Sequence, residues 1–485
     1  IPLLDAVEMR VLETEAISQW GISSQILQEH AALGALALLP PGEPLHILAG
    51  PGNNGGDALA LARLARLRGE RVEVWALNPE PVWTGDAAVQ AALWEGLGGN
   101  YRYSAEPQTV LEGLRGWVVD GLFGLGVRLP LEGLASAWAQ GINSAITTGK
   151  AGFKVMALDL PSGLDPSCAD VVGVPIVAHR TACFGHLKIC HGLWPAREFC
   201  GEIVVIPIPL RAPVQASVWK LESPKIGQTT PWNTYKHQRG HVAIRAGSLG
   251  MSGAAVLAAH GALRMGAGLV TVLADAELRS EIATQVPEAM VRVWEGAIPD
   301  GVDALLVGPG GVCDIPEWQG PLVLDASALR HGEGMHWMAR PDTVITPHPA
   351  EFARLFNLSE PLTGSTDERL REARSVATGL GVLVLKGAQT IIAGGGTTQL
   401  WVNPTGHPGL STGGTGDFLA GMVVAKMAMW ARQSHPLRSP IHLRQAVAEA
   451  VWLHGAAADR LGSGPLLVRE LGVSLAALLR EPDEH

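Results

Sequence analysis

The stretch "ILAGPGNNGGDALALARLAR", residues 47–66, decides how the first half of the chain folds. Gly50, Gly52 and Gly55 spell G-x-G-x-x-G between an apolar run and a helical pattern. A dinucleotide-binding turn of that form also asks for an acid ending the next strand, about 20 residues on, to hold a ribose. Glu73 lies inside "RVEVWAL" rather than at its end, and the fingerprint has no use for Asn53, Asn54 and Asp57 in the turn. Such side chains suit polar recognition and oxygen coordination of a hard cation. A plain Rossmann dehydrogenase is set aside; strand, glycine turn and helix remain.

Outward from this stretch, short β-rich runs alternate with helix-length segments. In the first half they are "LHILAG", "RVEVWAL", "GWVVDG", "KVMALDLPSG", "TACF" and "EIVVIPI"; in the second, "GHVAIRAG", "LVTVLAD", "ALLVGPG", "LVLDAS", "TVITPHPAE", "VLVLKGAQ" and "TTQLWVN". Strands this apolar predict parallel sheets covered on both faces. A Pro-, Thr- and charge-rich stretch separates the halves, which predicts domains at 1–215 and 236–485 joined by a linker at 216–235. Ahead of the first strand, Met9, Leu12, Ala16 and Ile17 follow helical spacing and Gly21 ends the pattern, as expected of a helix covering the sheet.

Composition fits two such units. The 485 residues are 47% hydrophobic and 17% charged with 59 Gly, a soluble α/β profile. A formal net charge of −10 argues against a nucleic-acid surface, which needs a basic field. No apolar run reaches the ~18 residues needed to cross a bilayer, because Pro40 and Pro41 interrupt "AALGALALLPP". Five cysteines without a C-x-x-C fit a reducing compartment, and with no signal peptide visible the expected location is cytoplasmic. Cys183, His186, Cys190 and His191 in "CFGHLKICH" lack the paired ligand knuckles of a structural zinc site and read as a strand and a turn.

In open parallel sheets, ligands sit beyond the carboxyl ends of the strands. There "LHILAG" runs into Asn53–Asp57, "WVVDG" ends in Asp120 and a glycine loop, and "VMALDLPSG" ends in Asp159 with Pro161, Ser162 and Gly163. One such acid is ordinary surface decoration; two facing a glycine-rich turn suggest a site.

"NNGGDA", "VDGLFGLG", "LDLPSGLD" and "FGHLKICHG", in that order, resemble the NAD(P)H-hydrate epimerase domain of the YjeF N-terminal type over about residues 1–210. The resemblance implies a Rossmann-like three-layer fold and a substrate, NADHX or NADPHX, hydrated at C6 of the nicotinamide ring. It implies that Asn53, Asn54, Gly55, Gly56, Asp57, the loop Gly124, Leu125, Gly126, Val127, Arg128, Leu129 and Pro130, and Asp159 line the substrate. Asn54, Asp120 and Ser162 would hold K+. Lys188 matches a family lysine, placed with the catalytic set to neutralise phosphate or ring charge. Inverting C6 breaks and re-forms its bond to hydroxyl, which needs a group that gives and takes a proton; a carboxylate in a dry pocket can do so, and Asp159 is the candidate. Ala58 stands where Gly is usual, His186 where Pro is common, and "LQEHAA" replaces a Met-Glu-x-Ala run.

In the second half, "NPTGHPGLSTGGTGDFLAG" (403–421) places "GGTGD" before an apolar helix. Converging backbone N–H groups there form an anion hole, and Asp417 sits beside it, positioned to deprotonate a hydroxyl that attacks a phosphoryl group. No Walker A motif occurs in the chain. His348 stands between Pro347 and Pro349, and Lys386 ends "VLVL"; a lone His or strand-end Lys is also commonly structural.

With "AGSLGMSGAAVLAAHGALRMGAGLV", "VGPG", "LDASAL", "TPHPAEFARL" and "LKGAQTIIA", this stretch resembles the ribokinase-like ADP/ATP-dependent NAD(P)H-hydrate dehydratases over about 236–480. The resemblance implies that Ala254, Gly310, His348 and Asp417 contact the hydrated cofactor. Lys386, Gly387, Ala388, Gln389, Thr390 and Gly416 would contact the nucleotide, ADP with Mg2+. Ser327 replaces a second acid usual in "LDASAL". Together the resemblances imply a repair enzyme that interconverts R- and S-NAD(P)HX and dehydrates the S form, consuming ADP and giving AMP and phosphate. The competing reading is a small-molecule kinase of the ribokinase superfamily with a non-catalytic YjeF-like scaffold. Apolar helix faces in both units leave room for a homo-oligomer.

Overall fold

The computed structural model describes residues 1–213, 215–225, 233–433 and 437–481. The chain divides into two compact units, Pro2–Val218 and Trp219–His485, the latter including Ile1. Residues 226–232 of the expected linker lie outside the described residues.

In the N-terminal unit, β1 (Leu45–Ala49), β2 (Val72–Ala76), β3 (Tyr101–Arg102), β4 (Gly116–Gly121), β5 (Phe153–Leu158), β6 (Arg180–Phe184) and β7 (Glu202–Ile206) form one sheet in the order β3-β2-β1-β4-β5-β6-β7. Every pairing is parallel. Alternate strand residues enter two cores, which makes three layers. Ile47, Val119 and Met156 pack with α2 (Ser24–Ala37), α3 (Asn53–Leu67) and Trp94 of α4 (Gly85–Gly96). Leu48, Val118 and Val155 pack on the other face with Trp138 and Ile142 of α5 (Gly133–Thr147). The strand order reverses between β1 and β4, so the loops after these two strands flank a crevice, the usual ligand position.

The glycine pattern of residues 50–55 serves close backbone packing. A Cβ on Gly50 would lie 1.7 Å from the Leu122 carbonyl oxygen, and one on Gly55 would lie 1.7 Å from that of Gly50. Ala58, where the related domains carry Gly, is a buried residue of α3 outside the left-handed region, so its methyl costs no backbone strain. The helix expected ahead of the first strand is α1 (Ala6–Trp20), started by a capping box of Asp5 and Glu8 and ended by Gly21 at φ 69°.

In the C-terminal unit the strands are β8 (His241–Arg245), β9 (Leu269–Ala274), β10 (Met290–Val293), β11 (Ala304–Val307), β12 (Leu322–Leu324), β13 (Thr343–Ile345), β14 (Val382–Leu385), β15 (Ile391–Gly394) and β16 (Leu400–Val402). Their order is β16-β15-β14-β13-β12-β11-β8-β9-β10. From β14 to β10 the pairings are parallel, but β14, β15 and β16 run antiparallel. This departs from the all-parallel expectation because the short turn Lys386–Thr390 can only return the chain as a hairpin; a parallel crossover needs a dozen or more residues.

On one face lie α6 (Ser252–Met265), α9 (Thr415–Ala431), α10 (Pro440–Asp459) and α11 (Val468–Leu478), sharing one core with the strands. The shorter helices α7 (Pro349–Leu355) and α8 (Thr366–Ser375) connect β13 to β14. Helices α6 and α9 cross at glycines: a Cβ on Gly421 would lie 2.0 Å from the Ala258 carbonyl oxygen, and one on Gly261 would lie 2.1 Å from that of Phe418. Gly421→Ala is therefore expected to force the helices apart and destabilise the chain by about 1–3 kcal/mol. Denaturant unfolding checks this, and an unmoved midpoint would refute the argument.

Candidate functional sites

Asp159 follows β5 at φ 64°, a left-handed conformation unusual for any side chain but glycine. Three contacts hold it there. Its N–H donates to the Ala182 carbonyl at 2.8 Å, and its carboxylate accepts from the Phe184 N–H at 3.1 Å and from the Lys188 ammonium. Lys188 is wholly buried, and its ammonium also donates to the Phe184 carbonyl at 2.9 Å. Burial works against the lysine's charge, but Asp159 overrides it and the pKa rises. The lysine charge is thus enclosed with Asp159, whereas the sequence reading aimed it at phosphate or ring charge. Cys183 nearby is pushed up to about 12 by burial and stays a thiol at neutral pH.

Asp159 opens onto a cavity of about 470 Å³ that Asn53, Asn54, Asp57 and the loop Gly124–Gly126 also line. Burial, then the Asp159 charge, raises the Asp57 pKa well above the usual carboxylate range. Gly55 and Gly56 lie under this wall, packed on Gly50 and on Gln28. Val127, Arg128, Leu129 and Pro130 continue the loop beyond the cavity lining.

Beneath the loop, Asn54, Asp120 and Ser162 meet around Phe123. Asp120 is fully buried and accepts from the Ser162 N–H at 2.8 Å, the Ser162 hydroxyl at 2.6 Å and the Leu122 N–H at 3.2 Å. Burial outweighs these bonds and lifts its pKa to about 6. Asn54 Nδ2 donates to the Phe123 carbonyl at 3.0 Å, which leaves Asn54 Oδ1 buried without a partner among the described residues. An orphan amide oxygen beside a buried carboxylate and a hydroxyl is a hard-oxygen set that a monovalent cation would satisfy.

In the C-terminal unit, Asp325, His348 and Lys386 follow three neighbouring parallel strands, β12, β13 and β14. Lys386 Nζ lies 2.8 Å from Asp325 Oδ1 and 3.9 Å from Glu351 Oε2, and Thr346 Oγ1 donates to the same Asp325 oxygen at 2.8 Å. Gly416 faces this lysine: a Cβ there would sit 3.6 Å from Nζ. Asp417 occupies the first turn of α9, which Gly414 opens at φ 94°. Burial first, then Asp325, pushes Asp417 up to about 6, with Lys386 opposing. His454 is lowered to about 4 by burial, and this neutral imidazole donates from Nε2 to the Thr415 carbonyl at 3.2 Å, fixing the same turn.

Gly310 and Ala254 come together where the strand order reverses between β8 and β11; a Cβ on Gly310 would lie 3.0 Å from that of Ala254. His348 caps α7, its Nδ1 accepting from the N–H groups of Ala350 and Glu351 at 3.2 and 3.3 Å. It also lines a cavity of about 490 Å³ together with Ser327. Gly387 and Ala388 are exposed, and Gln389 turns at φ 58° toward the half-buried Thr390. Among the described residues no three His, Cys, Asp or Glu side chains gather as metal ligands.

The sequence reading missed Glu13 and Gln28, which both line the N-terminal cavity. It took α1 only as a cover for the sheet. The signal was there: Glu13 falls on the same helix stripe as the buried Met9 and Ala16, where an acid has no place in a simple covering helix.

The sequence matches two families, one described as YjeF-related protein N-terminus over residues 24–190 and one as NAD(P)H-hydrate dehydratase over residues 242–469. The bifunctional NAD(P)H-hydrate repair enzyme Nnr of Gloeobacter violaceus is 33% identical over 95% of this chain and 94% of its own length. Its namesake from Coxiella burnetii is 32% identical over 97% and 98%. A crystal structure of the ADP/ATP-dependent NAD(P)H-hydrate dehydratase from Bacillus subtilis, co-crystallised with ATP and Mg2+, is 29% identical and covers 52% of this chain and 92% of its own, with a TM-score of 0.42.

Proposed function

The chain belongs to the bifunctional NAD(P)H-hydrate repair enzymes, and we propose on that premise that it epimerises R- and S-NAD(P)HX and dehydrates the S form to NAD(P)H at the expense of ADP. We assign epimerisation to residues 1–215 and dehydration to 236–485, with a linker at 216–235. The observation that carries this is Asp417 in the first turn of α9, with Lys386 alongside Gly416.

Hydroxide leaves poorly, so the C6 hydroxyl is first phosphorylated. Asp417 takes its proton, while the N–H groups at the start of α9 and the Lys386 ammonium stabilise charge on the moving phosphoryl group. Phosphate then departs and the dihydropyridine ring is restored. Lys386, Gly387, Ala388, Gln389, Thr390 and Gly416 are assigned to the nucleotide, and Ala254, Gly310, His348 and Asp417 to the hydrated cofactor. Among the described residues no three His, Cys, Asp or Glu side chains gather as ligands, so Mg2+ would enter with the nucleotide phosphates.

In the N-terminal unit Asp159 handles the proton at the C6 oxygen, and the buried Lys188 ammonium holds that carboxylate in place. Asn54, Asp120 and Ser162 fit K+, which would supply positive charge beneath the substrate loop and keep Asp120 ionised.

The experiment is recovery of NADH absorbance from mixed R/S NADHX with ADP, Mg2+ and K+. Complete recovery is expected, and recovery of the S fraction alone once K+ is replaced by a larger organic cation. A chain that phosphorylates a small alcohol but restores no NADH would instead support a ribokinase-type kinase.

A further inference from the structure

Epimerisation has to serve both faces of the nicotinamide ring, because hydroxyl leaves C6 on one side and water adds on the other. Asp159, fixed by Lys188 and the Phe184 N–H, is aimed one way. Glu13 reaches the same cavity from a different element, α1. Its carboxyl makes no hydrogen bond or ion pair among the described residues. The nearest cation on its own helix, Arg10, is bonded elsewhere, donating to the Leu125 carbonyl of the substrate loop at 3.0 Å. Glu13 is half-buried on the stripe of the buried Met9 and Ala16 and faces the cavity with no counter-charge bonded to it, so its presence calls for a role beyond packing.

Resting on the epimerase reading, we propose that Glu13 is the second proton-transfer residue of this site, serving the ring face that Asp159 does not. Glu13 as the acid gives its proton to the C6 hydroxyl. The C–O bond breaks with its electron pair leaving in water, and the N1 lone pair closes an N1=C6 iminium. A water on the other face adds to C6, its proton passes to Asp159, and the electrons of the N1=C6 bond return to N1. The reverse direction exchanges the two roles, and no oxidant or co-reactant is consumed. Burial and the neighbouring Asp159 raise the Glu13 pKa, which favours the protonated form this step requires.

The test compares the full-length wild type with Glu13→Gln and Glu13→Asp in heavy-oxygen water, using a single NADHX epimer. Wild type should incorporate heavy oxygen with inversion. Glu13→Gln should lose inversion kcat by about 100-fold or more with KM little changed, and Glu13→Asp should recover part of it. An unchanged denaturant midpoint for Glu13→Gln, with partial recovery in Glu13→Asp, would report a folded N-terminal unit. Inversion at the wild-type rate in Glu13→Gln, or a raised KM with unchanged kcat, would overturn the proposal. Wild type that fails to invert either epimer would instead overturn the epimerase reading beneath it.

Discussion

Asp417→Asn is expected to lower S-NADHX dehydration by roughly a hundred- to ten-thousand-fold, with KM for the S epimer within a few-fold of wild type. Removing a positioned general base costs that order of rate, whereas the amide keeps the shape and much of the hydrogen bonding. The pH dependence gives an independent check. Burial and Asp325 hold the Asp417 pKa at about 6, so the base is ionised above that pH and neutralised below it. Wild-type kcat/KM should therefore rise through about pH 6 and level off. Below the bend it should fall about tenfold per pH unit. The residual activity of Asp417→Asn should lack that bend. Turnover near the wild-type rate would remove Asp417 from the chemistry, and a bend that survives the substitution would assign it to another group.

Lys188→Met should be the most damaging change in the N-terminal unit. The lysine is wholly buried and its ammonium answers Asp159, so its removal leaves a buried carboxylate without a counter-charge. Breaking such a pair from one side costs about 3–5 kcal/mol. Epimerisation should vanish with it, because Asp159 would lose the ammonium that positions its carboxylate. Asp159→Asn should also abolish epimerisation, with a smaller loss of stability. The pair is coupled if the double variant is more stable than the sum of the two single losses. The readouts are R/S exchange by chromatography and denaturant midpoints. Strict additivity of the two stability losses would contradict the proposed ion pair, and normal exchange in Lys188→Met would contradict its role.

The strands were legible because each is an apolar run between turn residues, and glycine-flanked Asp417 announced itself by its place before an apolar helix. Short strands such as Tyr101–Arg102, Met290–Val293 and Ile391–Gly394 escaped notice because two to four residues carry no period to detect. Ile391–Gly394 mattered most, since it turns one edge of the C-terminal sheet antiparallel immediately beyond the Lys386 turn.

By itself the sequence determined two α/β units, their glycine turns and the acids at their strand ends. These are local facts, written in periodicity and in residues that tolerate tight backbone. Only the tertiary structure decided who partners whom: that Lys188 is enclosed with Asp159, that Lys386 bridges toward Asp325 and Glu351, and that Glu13 enters a cavity from a helix far away in sequence. Burial and charge pairing depend on distances between segments remote in the chain, and those distances exist only once the sheets have brought the strand ends side by side.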